Sequence, residues 1–293
     1  MEILDGRLVS QSIKDELKIR VAQRTAEGKK VPHLAAVLVG DNGASETYVN
    51  AKVKACAEVG FKSTLIRLED TTTETGLLTT IDKLNTDPDV DGILVQLPLP
   101  KHISEDKVIN TISSYKEVDG FHPVSVCKMV QGADTFVPAT PYGIMLLLEH
   151  YKINTKGMNA AVIGRSNIVG RPISILLGGN TSPGNSTVTV CHSHTKDLTA
   201  VCRSADLIVA ALGKPEFITG DMVKEGVVFV DVGITRVTDR SKKSGFALKG
   251  DAHYASVAAK SSFITPVPGG VGPMTIAALL KNTFKACEEQ DET

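Results

Sequence analysis

The stretch AAVIGRSNIVGRPISILL, residues 160–177, places a short apolar run, a glycine turn and a helical pattern in direct succession. Gly164 closes the apolar run, which is typical of a buried parallel strand, and Gly170 falls in the first turn of the predicted helix. The free N–H groups and the positive dipole at a helix start favour a phosphate. Five residues separate the two glycines, which is not the usual dinucleotide spacing. The order of strand, turn and helix nevertheless predicts a nucleotide-binding turn, in which Gly170 lets helix and strand pack closely.

The next strand indicates which dinucleotide this turn binds. In NAD sites an acidic residue near the end of that strand, about 20 residues after the glycine turn, binds the ribose 2′-hydroxyl. Here the predicted strand 187–191 is followed by His192, Ser193 and His194, without a carboxylate. Arg165 in the turn and Ser193 can hold a 2′-phosphate, so we predict NADP; the alternative for Arg165 is a solvated loop cation. The two histidines have no third ligand nearby, so no metal is predicted.

Short apolar runs of the same kind recur along the chain and alternate with helical patterns. This alternation is typical of βαβ units and parallel sheets. We therefore predict an α/β protein of two lobes with a cleft between them, the second lobe being a Rossmann-type dinucleotide-binding domain. The predicted strands are residues 34–40, 63–68 and 92–98 in the first lobe, and 160–164, 187–191, 206–213 and 227–233 in the second.

The domain boundary is predicted within a proline-punctuated segment, residues 138–151, that connects the lobes. We expect residues 1–138 to form the first domain and residues 139–272 the nucleotide domain. An amphipathic helix over 273–290 returns to complete the first domain.

Four of the predicted strands end in glycine. In open parallel sheets ligands lie across the carboxyl ends of the strands, where a missing Cβ lets backbone approach the ligand. The alternative is that each glycine simply begins a turn. Three of them follow strands of the nucleotide lobe, which favours a site there: the four residues are Gly40, Gly164, Gly213 and Gly233.

Composition narrows the class of protein. The 293 residues suit about two domains, and 42% hydrophobic against 22% charged residues indicates a packed core. The 32 Lys and Arg nearly balance the 33 Asp and Glu, so neither nucleic acid nor an anionic membrane is an expected partner. Five cysteines without a Cys-x-x-Cys pair argue against disulfides and a zinc ribbon. With no apolar segment of signal-peptide or membrane-spanning length, we expect a cytoplasmic protein.

The first lobe contains candidate chemistry in the helical segment 41–60. Tyr48 and Lys52 stand four residues apart and emerge on one face, beside a predicted buried stripe. A lysine in that place is either a snorkelling cation or a partly desolvated amine that exchanges protons near neutrality. The stripe is predicted to consist of Val49, Val53, Cys56 and Gly60.

Two more polar residues lie in unusual settings. Gln96 is near the end of an otherwise apolar strand, so its amide is either a structural plug or a ligand contact. Asp119 lies in a turn-rich segment, and most Asp-Gly pairs are only turns. The pattern does not show that these residues meet Lys52.

Six sequence blocks, in this order, resemble the signature blocks of the bifunctional methylenetetrahydrofolate dehydrogenase/cyclohydrolase family. They extend over essentially the whole chain. The blocks are YVNAK (48–52), GILVQLPLP (92–100), KEVDGFHP (116–123), PATP (138–141), GRSNIVGRP (164–172) and PVPGGVGPMT (266–275).

The resemblance implies two consecutive reactions. NADP⁺ first takes a hydride from 5,10-methylenetetrahydrofolate, and water then converts the methenyl product to 10-formyltetrahydrofolate. By similarity, Lys52 is the acid/base of the hydrolytic step, Gln96 supports it, Tyr48 shapes the site and Asp119 holds the pterin ring. The implied substrate contacts are Tyr48, Lys52, Gln96, Leu97, Pro98, Asp119, Pro268, Gly269 and Gly270.

The resemblance also implies a homodimer and a set of cofactor contacts. The connection GGNTSPGNST, residues 178–187, is longer than is usual in the family and bears on how the 2′-phosphate is recognised. Two alternatives stand beside the bifunctional enzyme: a binding protein without catalysis, and a dehydrogenase without the hydrolytic step. Retention of Lys52 and Gln96 weighs against both. The implied cofactor residues are Gly164, Arg165, Ser166, Ile168, Ser193, Gly213, Ile234 and Thr275.

Overall fold

The computed structural model describes residues 1–41, 43–239, 241–242 and 245–291. The chain divides into two compact units. The Lys52 unit contains Gln11–Ala139 and the residues from Ile276 onward, and the Gly164 unit contains Met1–Ser10 and Thr140–Thr275. No helix in the described ranges has the length and apolar character needed to cross a membrane.

Strands and helices alternate along most of the chain, as the apolar runs predict. The strands are β1 (Glu2–Ile3), β2 (His33–Val39), β3 (Lys62–Leu68), β4 (Gly92–Val95), β5 (Asn159–Ile163), β6 (Thr187–Cys191), β7 (Leu207–Ala210), β8 (Val227–Asp231), β9 (Thr235–Thr238), β10 (Phe246–Lys249) and β11 (Ser261–Ile264). The helices are α1 (Gly6–Ala26), α2 (Gly43–Val59), α3 (Glu74–Thr86), α4 (Glu105–Thr111), α5 (Pro123–Val130), α6 (Ala139–His150), α7 (Gly170–Gly178), α8 (Leu198–Ser204), α9 (Tyr254–Ala258) and α10 (Val271–Asp291), with a 3₁₀ turn at Gly220–Met222.

The Lys52 unit is built on a parallel sheet of order β3-β2-β4. All seven residues of β2 are buried, as expected of a central strand that is covered on both faces. Helix α3 is capped by the Thr73 hydroxyl, which accepts from the Gly76 N–H, and its buried residues recur at helical spacing. Those residues are Leu77, Ile81 and Leu84, and they pack in the same core as the apolar side chains of β2 and β4.

The Gly164 unit contains a six-stranded parallel sheet of order β1-β11-β8-β7-β5-β6. Strand β5 lies between β6 and β7. After β6 the chain therefore returns to the other side of β5, and the strand order reverses between β5 and β7. Ligands of doubly wound sheets bind at the carboxyl ends of the strands at such a switch point. The α/β class and the Rossmann-type second domain are therefore confirmed, with an added antiparallel hairpin of β9 and β10 that the sequence did not predict.

Residues 1–10 belong to the Gly164 unit, whereas the predicted first domain ran over 1–138. Strand β1 pairs in parallel with β11, with Ile3 opposite Ile264, and so extends the six-stranded sheet. Gly6 lies directly against Gly270, because a Cβ on Gly6 would be 1.7 Å from the Gly270 carbonyl oxygen. A two-residue strand has too short a pattern to be recognised in a sequence.

Some predicted strands run past the observed ladders. β4 ends at Val95 and not at residue 98; one more ladder bond runs from the Gln96 N–H to the Val37 carbonyl, and Pro98 has no N–H with which to continue. Gly40 and Gly164 directly follow their strands, but Gly213 and Gly233 lie three and two residues beyond the ends of β7 and β8. These two glycines belong to loops at the carboxyl edge of the sheet.

Candidate functional site

Lys52 lies on the buried side of α2. Its side chain is 9% exposed, while Tyr48, one turn earlier, is 49% exposed. Val49 and Cys56 are buried as predicted, but Val53 is half-buried and Gly60 is exposed. The buried face of α2 is therefore not the predicted one: Lys52, Ala55 and Val59 are buried there in addition to Val49 and Cys56.

The Lys52 amine donates to a side chain at the carboxyl end of β4. Its Nζ is 3.2 Å from Gln96 Oε1. The Gln96 N–H continues the ladder to the Val37 carbonyl, and its side-chain Nε2 donates to the Leu97 carbonyl at 2.7 Å. This second bond fixes the amide with its oxygen towards Lys52. The Gln96 side chain is therefore satisfied by partners within the protein, of which one is the Lys52 amine.

Asp119 sits in a turn that its neighbours hold in place. The buried Glu117 carboxylate accepts from the N–H groups of Phe121 at 2.7 Å and His122 at 2.9 Å. Gly120 has φ of +78°, and a Cβ there would be 2.5 Å from the Val137 carbonyl carbon. In the same unit the buried Asn282 of α10 donates to the carbonyls that flank this turn, those of Val118 and Val137.

The carboxyl groups of this turn are electrostatically coupled to each other and to Lys52. Burial, reinforced by the charge of Asp119, raises the pKa of Glu117 to about 8. Burial also raises the pKa of Asp119, and the positive charge of Lys52 opposes that rise. Burial thus favours the protonated form of each carboxyl group, whereas the positive charge of Lys52 favours the ionised form of Asp119.

The groups that the structure brings together here are of the kinds that acid/base chemistry uses. A buried amine with one amide acceptor and a nearby carboxylate can take a proton and return it without competition from bulk water. Tyr48 lies on the same helix, and Leu97 and Pro98 follow Gln96 directly. Leu97 is half-buried and Pro98 is exposed, so the segment after Gln96 is available to a ligand. The structure brings Lys52 and Gln96 into contact although 44 residues separate them.

The predicted nucleotide turn is closely packed around its two glycines. Gly164 has φ of +129°, and a Cβ there would be 2.3 Å from the Ala211 carbonyl oxygen. A Cβ on Gly170 would be 2.2 Å from the Gly164 carbonyl oxygen. The unusual spacing therefore still brings strand β5, its turn and helix α7 into backbone contact.

The start of α7 is capped from within the turn. Ser166 Oγ accepts from the N–H groups of Val169 at 3.2 Å and Gly170 at 3.3 Å. Val169, at the cap position, cannot provide such a bond from its own side chain. Arg165, Ser166 and Ile168 are all exposed.

Arg165 and Ser193 leave the same edge of the sheet. Ile163 is opposite Cys191 in the β5–β6 register, and each of the two residues lies two positions beyond that pair. Both are exposed, as residues that hold a 2′-phosphate must be. His192 and His194 pack ring against ring at 5.9 Å, and the described residues contain no group of three or more His, Cys, Asp and Glu able to hold a metal ion.

The long connection 178–187 lies at the other end of these strands. Thr187 N–H donates to the Met158 carbonyl, and Gly157 N–H donates to the Asn185 carbonyl, so the connection packs on the segment that precedes β5. The Thr155 hydroxyl further binds it by donating to the Gly184 carbonyl at 2.8 Å. The full length of β6 separates this connection from Ser193.

The remaining predicted cofactor residues lie in the same unit, Gly213 and Ile234 in loops and Thr275 in α10. Gly213 is exposed with φ of +66°, and Ile234 is 40% exposed. The Thr275 hydroxyl is 3.1 Å from that of Thr140, in the PATP block. Gly213 and Ile234 follow β7 and β8, on the edge where Gly164 and Arg165 follow β5.

The PVPGG segment is held by the N-terminal residues. Gly269 has φ of +114°, and a Cβ there would be 3.1 Å from Arg7 Nε. Gly269 and Gly270 are buried, while Pro268 is exposed. A small pocket lies beside this segment, lined by Asp231, Val232, Ile234 and residues 266–272.

Sequence reasoning missed several residues that shape these sites. Glu117 was overlooked although a carboxylate two residues before Asp119, in a strand-like run, was a visible signal. Asp231, the last residue of β8, and Asp251, shortly after β10, are buried carboxylates that were also missed. No local pattern pointed to Gly6, because its role depends on a segment that lies more than 260 residues away.

Comparison with known proteins identifies the family. Residues 4–119 match the model of the tetrahydrofolate dehydrogenase/cyclohydrolase catalytic domain, and residues 138–291 match the model of the corresponding NAD(P)-binding domain. The bifunctional protein FolD of Cytophaga hutchinsonii is 59% identical over 286 residues, which cover 98% of this chain and 99% of the relative.

Solved structures give the same result. The bifunctional enzyme FolD of Campylobacter jejuni is 49% identical, with a TM-score of 0.93 and 99% of each chain covered. The Trypanosoma brucei methylenetetrahydrofolate dehydrogenase-cyclohydrolase, solved with NADP cofactor and inhibitor, is 35% identical with a TM-score of 0.93, covering 99% of this chain and 98% of that one. The resemblance seen in the six sequence blocks is confirmed, and the chain belongs to the tetrahydrofolate dehydrogenase/cyclohydrolase family.

Proposed function

We propose that this chain oxidises 5,10-methylenetetrahydrofolate with NADP⁺ and then hydrolyses the methenyl product to 10-formyltetrahydrofolate. The observation that carries the proposal is the buried Lys52 amine, 3.2 Å from Gln96 Oε1, in a chain of this family. A binding protein without catalysis has no use for a desolvated amine with a dedicated acceptor, because burying it costs free energy.

The hydrolytic step needs a base that carries no permanent charge. The methenyl substrate is a cation, so a fixed ammonium would repel it, whereas a neutral amine accepts a proton. As water attacks the methenyl carbon, a carbon–oxygen bond forms and one water proton passes to Lys52 Nζ. The carbon–N5 bond then breaks, N5 gains a proton and the carbon keeps the oxygen as the formyl group on N10. One proton is released overall.

Gln96 and Asp119 support this step in different ways. Gln96 Oε1 accepts from Lys52 Nζ and so directs the amine, since its own orientation is fixed by the Leu97 carbonyl. The Asp119 carboxylate is the group we assign to the amino and ring N–H groups of the pterin, because carboxylates accept paired N–H donors well. Tyr48, on the same helix as Lys52, is a further polar side chain that we assign to this site.

The oxidation step requires mainly that the cofactor be held. Bound NADP⁺ supplies the acceptor for the hydride of the one-carbon bridge. The residues present fit this cofactor, because the Gly164 turn brings backbone within reach of a pyrophosphate and Arg165 with Ser193 offers a cation and a hydroxyl for the 2′-phosphate. We assign to the cofactor Gly164, Arg165, Ser166, Ile168, Ser193, Gly213, Ile234 and Thr275.

The two domains take different ligands in this proposal. The folate domain comprises residues 1–138 with the C-terminal helix 273–290, and residues 139–272 form the NADP domain. Packing supports moving residues 1–10 to the NADP domain, because β1 pairs with β11. We assign to the folate Tyr48, Lys52, Gln96, Leu97, Pro98, Asp119, Pro268, Gly269 and Gly270.

We also propose that the enzyme is a cytoplasmic homodimer. All five cysteines are free thiols, which suits a reducing compartment. Strand β6 lies at the edge of its sheet with Val190 39% exposed, and a second copy pairing there would cover both the edge and the valine. Sedimentation equilibrium that gives the mass of a single chain would contradict the dimer.

The purified chain tests the function directly. It is supplied with 5,10-methylenetetrahydrofolate and either NADP⁺ or NAD⁺, and the absorbance of the reduced nicotinamide and that of the methenyl compound are followed. We expect faster turnover with NADP⁺ and no accumulation of the methenyl compound. Turnover with accumulation would indicate the monofunctional dehydrogenase, and absence of turnover with either cofactor would contradict the proposal.

Arg165→Ala is expected to weaken NADP⁺ binding by about 10- to 100-fold and to leave NAD⁺ binding almost unchanged. Only NADP⁺ has the 2′-phosphate, and a hydrogen bond to a charged group contributes about 1.5–3 kcal/mol. Titration of both cofactors measures the two affinities. Arg203→Ala is the matched control, because Arg203 is exposed and donates to the Asp221 carbonyl near the amino end of β7. Equal losses for the two cofactors in Arg165→Ala would remove the residue from 2′-phosphate recognition.

A further inference from the structure

Two buried carboxylates lie beneath the loops that follow β7 and β8. Asp231 is 4% exposed and Asp251 is completely buried. Within the described ranges, neither carboxylate forms an ion pair with a lysine, arginine or histidine. A buried carboxylate without a cation must be compensated by hydrogen bonds, and the partners that do so show what each residue holds.

Asp251 binds three successive backbone N–H groups of the loop after β7. Its Oδ2 accepts from Leu212 at 2.6 Å and from Gly213 at 3.2 Å, and its Oδ1 accepts from Lys214 at 2.8 Å. Both oxygens of the carboxylate are therefore used for one short segment. This segment contains Gly213, which the proposed function assigns to the cofactor.

Asp231 in turn holds Asp251. Its Oδ1 accepts from the Asp251 N–H at 2.9 Å, and its Oδ2 accepts from the Ala252 N–H at 2.9 Å. Oδ1 also accepts from the Gly233 N–H at 3.0 Å, just before Ile234 in the loop after β8. The end of β8 is thus connected to both loops through two carboxylates.

Neither carboxylate has room to move. A Cβ on Gly233 would be 2.5 Å from Asp251 Cγ, and a Cβ on Gly250 would be 2.2 Å from Asp231 Oδ2. Real Cβ atoms do not approach other atoms so closely, so these two glycines let backbone pack directly on the carboxyl groups. The geometry of the pair is therefore set by packing as well as by hydrogen bonds.

The backbone conformation of Gly213 shows the effect of the hydrogen bonds to Asp251. Its φ is +66°, although a Cβ there would meet no atom within 4 Å. Crowding therefore does not impose the left-handed conformation. The three N–H bonds to Asp251 orient the backbone of 212–214, and a residue in the middle of that segment must take a conformation that glycine adopts freely.

We propose that Asp251, held in place by Asp231, is a positioning residue for NADP binding, which sets the conformation of the 212–214 segment so that Gly213 presents its backbone to the cofactor. This inference rests on the proposed function, because that function assigns Gly213 to NADP. Neither carboxylate needs to touch the cofactor. Their effect is to remove the conformational freedom of the loop before the cofactor binds, which is a common source of affinity.

Asp251→Asn tests the proposal. The amide keeps the shape of the carboxylate but places an NH₂ group against backbone N–H donors, so at least one of them loses its acceptor. We expect the Kd of NADP⁺, measured by titration, and its KM to rise about 10- to 100-fold, as for loss of a buried hydrogen bond. The hydrolysis of methenyltetrahydrofolate, assayed without cofactor, is expected to keep its kcat/KM, because Lys52 and Gln96 belong to the other unit and the Asp251 carboxylate binds residues 212–214, which we do not assign to the folate.

The split between the two activities separates positioning from a merely structural role. Parallel loss of both activities, or a lower melting temperature with an unchanged Kd for NADP⁺, would overturn the proposal, as would no change at all. Asp221→Asn is the matched control, since Asp221 is exposed in the same unit. If Asp251→Asn fails to fold, Asp231→Asn is measured in its place. We expect it to raise the Kd for NADP⁺ by a smaller factor, and an unchanged Kd would overturn the proposal. Failure of the unmodified chain to bind NADP⁺ would instead contradict the proposed function.

Discussion

Lys52→Met is expected to lower kcat for the hydrolysis of methenyltetrahydrofolate by about 10²- to 10⁴-fold, the usual contribution of a positioned acid/base group. Methionine fills nearly the same space as the lysine stem, so the buried face of α2 stays packed. Its thioether cannot take a proton from the attacking water. The loss is measured as the rate at which the methenyl absorbance disappears, in the absence of any nicotinamide cofactor.

Two observations make this prediction specific. Lys54→Met is the matched control, because Lys54 is on the same helix but exposed, and its hydrolytic rate is expected to remain unchanged. NADP⁺ binding is also expected to persist in Lys52→Met, since the Gly164 turn belongs to the other unit. Hydrolysis at the unmodified rate in a folded Lys52→Met variant would exclude Lys52 as the base.

Gly170→Ala is expected to reduce NADP⁺ affinity by about 100-fold or more. The added Cβ would be 2.2 Å from the Gly164 carbonyl oxygen and 2.8 Å from Arg165 Cα, so α7 must move away from the turn. Displacing binding groups by about 1 Å is enough for losses of this size, and overpacking adds about 1–3 kcal/mol of strain. Direct titration of the variant with NADP⁺ measures the affinity.

The same helix offers the control for this variant. Gly178 is at the other end of α7, and a Cβ there would meet only the Val188 side chain at 3.7 Å, an ordinary contact. Gly178→Ala is therefore expected to bind NADP⁺ as the unmodified chain does, because the added Cβ displaces nothing. Alanine is also a better helix former than glycine, so the helix is expected to remain stable. Hydrolysis is expected to survive in both variants. Comparable NADP⁺ affinity in Gly170→Ala and Gly178→Ala would show that the close packing at Gly170 is not needed for the cofactor.

The strand, glycine turn and helix around Gly164 were predictable because they all lie within eighteen consecutive residues, 160–177. An apolar run, a glycine with a left-handed φ and a helix start each leave a local signal. Errors arose where the outcome depends on distant contacts. The stripe of α2 was misjudged because Lys52, a charged residue, lies on the buried face, whereas the apolar Val53 next to it is only half-buried.

The proposed site residues of the Lys52 unit show the same limit. Gln96 is 44 residues from Lys52, and no spacing rule connects an amide after β4 with an amine on α2. Only the resemblance to the family grouped them in advance. Glu117 and Asp251 were missed because a buried carboxylate satisfied by backbone N–H groups looks like any other acidic residue in a sequence.

The sequence by itself determined the α/β class, the central strands and the glycine turn after β5, because apolar periodicity and the special conformations of glycine act over a few neighbouring residues. The tertiary structure decided which polar groups are buried away from water and which protein groups they hydrogen-bond instead. Lys52 is buried against Gln96 by the packing of α2 on its sheet, and Asp251 is buried beneath residues 212–214 by a turn nearly forty residues later. Desolvation depends on everything that surrounds a group, and that surrounding exists only once the chain has folded.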